Sequence, residues 1–287
     1  MLLTTLTGKL ERAAFLDPVA SLVTAGVDAV LPRGRVKDAL HGKPLGHPAH
    51  PGMVAAPIGM WTGALLLDLT AGDSGRSAAR RLVGAGTLLV APTAAAGFAD
   101  WSELGEFQRP KRVGLAHAAV NVAVAVLYGA SWWARRRGDH VTGRNLALVG
   151  AAGLGVGGYL GGHLAYSQGV GVNRNADEDS MQPLEWTDAV AYEQVVEGEL
   201  QRVEVDGQPV VLTRRQGSVH AMGAVCSHYG APLEQGEVDG DGCLVCPWHG
   251  SRFRLGDGSV AQGPATAAQT SYETRPQGDR LQLRARR

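Results

Sequence analysis

Four long, almost charge-free apolar runs, at about 53–70, 82–101, 113–134 and 146–166, constrain the fold of this chain more than any other feature. Each is close to the roughly twenty residues that a helix needs to cross a bilayer core. A backbone in lipid must satisfy its own polar groups, which leaves helices for runs of this kind and tolerates Pro57 and Pro92 where neighbouring helices cover them. Arg80-Arg81 precede the second run, Lys111-Arg112 precede the third, and Trp132-Trp133 are followed by Arg135, Arg136 and Arg137. Aromatic residues followed by cations mark a membrane interface. A soluble buried bundle is the alternative, although such charge-free runs are unusual in one.

The average composition hides this segregation. With 27 basic and 27 acidic residues the chain is neutral and has no global field for nucleic acid. Before the runs lies a segment, 1–45, in which Leu10, Ala14, Leu22, Val23, Val27 and Val30 recur at helical spacing with a break near Asp17-Pro18. One or two amphipathic helices are expected there, on the membrane surface or against the bundle. MLLTTLTG is too short for a signal-peptide core and lacks a twin-Arg pair, so no exported precursor is expected.

After the fourth run, residues 171–182 are polar and acidic and read as a linker. The apolar period then shifts towards two. LQRVEV, the turn Asp206-Gly207 and PVVLT predict a β-hairpin, and Asp257-Gly258 and LQLRA predict further short strands. The fold class is therefore multidomain: an N-terminal all-α four-helix transmembrane bundle over 46–170 and a C-terminal all-β domain over 183–287.

The β domain carries CSHYGAPLEQGEVDGDGCLVCPWHG from Cys226 to Gly250. Cys226 and His228 form a Cys-x-His pair, and Cys246 and His249 a Cys-x2-His pair, in two short Gly/Pro-rich loops. Two thiolates and two imidazoles suit a [2Fe-2S] cluster in which two Cys hold one iron and two His the other. They also suit tetrahedral zinc, although common zinc modules pair Cys with Cys and His with His.

CSHYGAPL and CPWHGSRF resemble the two ligand loops of a Rieske domain. The resemblance implies that Cys226 and Cys246 hold the inner iron, and His228 and His249 the outer one. It also implies a ferredoxin-type centre. The positions of the disulfide found in cytochrome bc-type Rieske proteins hold Ala231 and Trp248, and Phe253 stands two residues after Ser251 where that type has a Tyr donor. A potential in the lower part of the family's range, about −150 to +300 mV, is expected. Cys243 reads as a small buried residue on the strand leading to the second loop. Three Cys in 287 residues fit a reducing compartment.

The stretch LHGKPLGHPAHP before the four runs resembles a widespread membrane family found fused to Rieske domains. In an antiparallel bundle, His47, His50, His117 and His163 would gather at one leaflet. Ionisable residues inside spans are costly and mark sites, so these four are candidate ligands of a b-type haem or a metal, with His117 and His163 as the axial pair. A quinone pocket and simple helix capping are the other readings. His41 and His140 read as ordinary loop residues. Gly153, Gly157 and Gly161 on the fourth run permit close helix approach, within the bundle or in a homo-oligomer.

The expected protein is a multi-pass membrane electron carrier that exchanges electrons with donor and acceptor proteins or quinone, with lipid around its bundle. Charge flanks are nearly even, and the Rieske domain is expected on the cytoplasmic face because the chain shows no export signal. There is no His after His249, so a downstream oxygenase iron site is not expected. A cluster-based redox or iron sensor is the alternative function.

Overall fold

The computed structural model describes residues 2–177 and 181–286. They form two compact units, and the chain passes between them three times. Met1–Pro32 with Ala49–Val170 make the first, and Arg33–Pro48 with Gly171–Arg287 make the second. The expected N-terminal segment 1–45 is thus divided, and only its first part joins the helical unit.

In the helical unit, α1 (Leu2–Glu11) and α2 (Asp17–Val30) are separated by a short 3-10 turn at the predicted break, where Asp17-Pro18 supply the helix start. α1 packs against a long helix Gln108–Arg136, and α2 against both it and Gly72–Ser102. The amphipathic segment therefore covers the bundle. In chain order the remaining helices are α4 (Ala49–Met53), α5 (Ala55–Thr70), α6 (Gly72–Ser102), α7 (Gln108–Arg136) and α8 (His140–Gly162), the last prolonged by a π-helical turn at His163–Ser167; α3 (Arg35–His41) belongs to the other unit. Four stretches, Ala49–Thr70, Gly72–Ser102, Gln108–Arg136 and His140–Ser167, are long and apolar enough to cross a membrane.

The bundle core holds Trp61, Ala64, Ala79, Val83, Val124, Tyr128 and Ala147. The Trp61 and Tyr128 rings stack with centroids 4.0 Å apart, and small residues make room for them: a Cβ on Gly150 would lie 2.8 Å from the Tyr128 ring. The glycine stripe on α8 has the same use. Cβ atoms on Gly153, Gly157 and Gly161 would meet Val124 at 2.6 Å, Asn121 at 2.7 Å and His117 at 3.1 Å. The face that carries these three glycines is occupied by α7 of the same chain. Gly157→Ala is expected to destabilise the bundle by about 1–3 kcal/mol through overpacking. Gly158→Ala, which meets nothing within 4 Å, should be neutral or stabilising by up to ~1 kcal/mol. Thermal unfolding in detergent separates the two.

The second unit is a β domain with two antiparallel sheets. A six-stranded sheet has the order β1-β10-β9-β4-β3-β2, from Thr187–Ala191, Arg280–Ala285, Ser271–Gln277, Ser218–Gly223, Gln208–Arg215 and Gln201–Val205. A four-stranded sheet has the order β5-β6-β7-β8, from Glu237–Val238, Cys243–Val245, Arg252–Arg254 and Val260–Gln262. The predicted hairpin is β2–β3, and its turn residues Asp206 and Gly207 have φ of 52° and 76°, both positive as a type I′ turn requires. One apolar cluster, with Val205, Leu212, Leu281 and Leu283, lies in the large sheet. A second, with Met222, Leu233, Leu244 and Phe253, supports the Cys/His loops.

Candidate iron-sulfur site

The two Cys/His loops are built alike. In the first, Cys226 N donates to Ala231 O and Gly230 N donates to Cys226 O; in the second, Cys246 N donates to Ser251 O and Gly250 N donates to Cys246 O. Each loop closes on a glycine with positive φ, 79° at Gly230 and 66° at Gly250, a conformation that β-branched and bulky residues resist. Each cysteine sulfur also accepts two backbone N–H groups, from His228 and Tyr229 onto Cys226 and from Trp248 and His249 onto Cys246. Two N–H groups aimed at a buried sulfur favour its thiolate.

Cys226 and Cys246 are buried, 1% and 3% exposed, and hydrogen-bond to one another. The shared proton resolves to one side: Cys246 is drawn down to about 6 by the bond from Cys226, while Cys226 is raised by the same bond and by burial. Beside them the rings of His228 and His249 meet edge to face with centroids 5.0 Å apart. His228 is pushed down to about 3, by burial first and then by its neighbour His249, so its imidazole is neutral at pH 7. Its Nδ1 is buried and has no hydrogen-bond partner among the described residues. A buried, bare nitrogen lone pair beside a thiol–thiolate pair suits a metal-ligand set, because thiolate and neutral imidazole are the ligating forms.

Two thiols bonded to one another and two imidazoles facing one another suit a two-iron cluster held at its Cys and His ends. Cys243 sits on β6, buried and free, with its thiol raised by burial. Ala231 is buried, Trp248 is 47% exposed and Phe253 is fully buried in the core beneath the loops.

A third loop escaped sequence reasoning. Residues 263–269 lie against both ligand loops: Ala265 N donates to Ser251 Oγ at 3.0 Å, and Ser227 Oγ donates to Ala267 O at 2.8 Å. Its signal was the dipeptide Gly263-Pro264, a plain turn mark. The expected linker is also docked in its described part. Arg174 N donates to Ser227 O, the Arg174 guanidinium lies over the Tyr229 ring at 5.3 Å, and the Asn175 and Gln269 amides pair at 2.6 Å. Residues 178–180 of that segment lie outside the described residues.

Residues 185–273 match the family model described as Rieske [2Fe-2S] domain. Over 98 residues the chain is 30% identical to the naphthalene 1,2-dioxygenase system ferredoxin component of Pseudomonas aeruginosa, 34% of this chain and 93% of that protein. The chain belongs to the Rieske [2Fe-2S] family. Its helical part, 46–174, matches the model described as predicted membrane protein (DUF2231). The Rieske domain is also 32% identical over 88 residues to apoptosis-inducing factor 3 of Mus musculus, and there the match spans 31% of this chain but only 14% of the relative. Among solved structures, the ferredoxin of carbazole 1,9a-dioxygenase from Nocardioides aromaticivorans IC177 aligns at 24% identity and a TM-score of 0.33, covering 35% of this chain and 98% of that one. A Rieske domain implies a [2Fe-2S] cluster and electron transfer.

His50 and His117 face each other with ring centroids 6.3 Å apart, His50 Nδ1 bonding Thr93 O and His117 Nδ1 bonding Gly157 O, each at 2.9 Å. His163 Nε2 pairs with Glu11 Oε1 at 2.8 Å. His47 is exposed, belongs to the Rieske unit and bonds its neighbour's Pro48 O. His41, expected in a loop, ends α3 (Arg35–His41) and is 2% exposed; His140 begins α8.

Proposed function

We propose that this chain is a membrane-anchored electron carrier whose Rieske domain holds a ferredoxin-type [2Fe-2S] cluster through Cys226, Cys246, His228 and His249. The observation that carries the reading is the pair of equivalent loops that bring two buried cysteines together beside two facing imidazoles. When bound, the cluster supplies a one-electron centre. The chain's own contribution is to keep the ligands in their ligating state and to exclude water. Burial keeps His228 neutral, backbone N–H groups and the Cys226 bond favour the Cys246 thiolate, and Leu233, Leu244 and Phe253 seal the underside. Relatives that are ferredoxin components of monooxygenase and dioxygenase systems support a redox protein as partner. The Rieske unit is assigned to the cytoplasmic face, where thiols stay reduced for cluster assembly.

A second redox group in the membrane unit, haem or quinone, would sit at His50 and His117, which face one another there. Both project an Nδ1 to a backbone carbonyl, the arrangement that fixes a ligating ring's tautomer.

The test is full-length protein in mild detergent, with metal analysis, oxidised and reduced optical spectra and a pyridine haemochrome assay. About two irons per chain with a reversible Rieske signal are expected. Zinc in place of iron would overturn the assignment. A haem band lost in His50→Ala and His117→Ala would make the protein a two-centre module, and its absence would leave the quinone reading or a plain anchor. A cluster whose loss alters membrane assembly without any electron flux would favour a sensor.

A further inference from the structure

The segment Arg33–Pro48 precedes the first span in sequence but folds with the Rieske unit. Residues 33–45 lie outside both family matches, 46–174 and 185–273, so neither domain family accounts for them. Their bonds converge on the cluster head. Arg33 Nη2 donates to His249 O at 2.8 Å, and the rest of its guanidinium lies against Gly250, where any Cβ would collide with it. Asp38 Oδ1 accepts from Gly263 N at 3.0 Å, at the start of the third loop. Lys43 Nζ donates to Ala261 O at 2.6 Å and pairs with Asp38 at 3.3 Å. The His41 ring lies close to Gly263, 3.4 Å from where its Cβ would stand.

We propose that Arg33–Lys43 is a built-in clamp on the cluster head. Arg33 acts as a positioning residue that holds the second ligand loop and raises the cluster's reduction potential, while Asp38 and Lys43 fix Ala261–Gly263 behind it. The physical reason is charge. Reduction adds one negative charge to the cluster, and a guanidinium bonded to the backbone of a ligand residue stabilises that state more than the oxidised one. Near a protein surface such an interaction is attenuated but not lost. The bond geometry adds a second effect, since a cationic donor on the His249 carbonyl restrains the loop. The segment continues directly into the first span at Ala49, so the same residues that tune the cluster are covalently continuous with the membrane unit.

The inference rests on the cluster assignment above, and its test separates the two. Full-length wild type, Arg33→Gln, Arg33→Lys, Arg35→Gln and Asp38→Ala are compared in detergent by spectroelectrochemical titration and hydrogen exchange over 246–263. Arg35 is exposed on the same segment and controls for net charge. Arg33→Gln should lower the midpoint potential and speed exchange at 246–252, Arg33→Lys should recover potential but not slow exchange, and Arg35→Gln should match wild type. Asp38→Ala should speed exchange of the Gly263 amide about tenfold or more, the loss expected for a bond to a charged acceptor. Equal potentials in Arg33→Gln and Arg35→Gln, or unchanged exchange at Gly263 in Asp38→Ala, would overturn the clamp. A protein without iron would sink the cluster reading, and exchange of the iron-free chain would still decide whether the clamp is docked.

Discussion

Purified Cys246→Ser and His228→Ala chains are expected to hold no more than about a tenth of the wild-type iron and to lose the Rieske absorption, with the helical unit intact. Partners that merely orient a ligand cost 10–100-fold in metal affinity when removed, so a direct ligand costs at least as much. The two variants fail for different reasons. Cys246 is the side of the thiol pair drawn down to about 6, and a serine hydroxyl offers no comparable anion there. His228 supplies a neutral buried nitrogen, and Ala leaves the space without a ligand. Cys243→Ser is the control: that thiol lies on β6, is raised by burial and belongs to neither loop, so iron content should hold. Iron and sulfide analysis with optical spectra reads all three. Full iron retention in Cys246→Ser would remove the assignment, whatever the family match.

The same comparison shows which features a sequence displays and which it hides. The ligand loops were legible because their chemistry is local: Cys, His and Gly within six residues specify a turn that aims N–H groups at a sulfur. The four spans and the β2–β3 hairpin were legible for a related reason, since charge-free length and an Asp-Gly turn are properties of contiguous residues. What stayed hidden is long-range. Asp38 and Gly263 are 225 residues apart and Arg33 and His249 are 216 apart, and no periodicity marks either partner. The glycine stripe of α8 was legible as a packing face, but only the structure shows it filled by Val124, Asn121 and His117 of α7. His163 looked equivalent to His117 by depth, and the difference lies in Glu11, a residue of the amphipathic segment that covers the bundle. Conserving a helical depth does not choose a partner.

Arg135 gives the second large effect, and it corrects another local reading. In sequence it belongs to the Arg135-Arg136-Arg137 flank after Trp132-Trp133, where three cations should face the interface. Arg136 and Arg137 do lie over Trp132 and Trp133, at 4.9 and 4.8 Å. Arg135 turns inward: its side chain is 0% exposed and its fork grips Asp68 of α5 through two bonds, 2.7 and 2.5 Å, with Nε on Ser131 at 3.2 Å. Ser131 in turn donates to Gly143 O at 2.6 Å, and Gly143 is bare because a Cβ there would reach the Arg135 stem. The pair thus ties α5, α7 and α8 together. Asp68→Ala is expected to cost about 3–5 kcal/mol, because it leaves a buried cation unpaired. Arg135→Met should cost a similar amount by stranding Asp68. The double replacement Asp68→Leu with Arg135→Met should recover most of the loss, since a well-packed apolar pair often matches a buried ion pair. Thermal unfolding in detergent measures all three, and electron transfer through the intact Rieske domain should be unaffected in the double variant. If the double variant is stable but inactive, the pair serves the membrane unit's function rather than its packing, because an ionisable pair inside spans has then been kept for its charge.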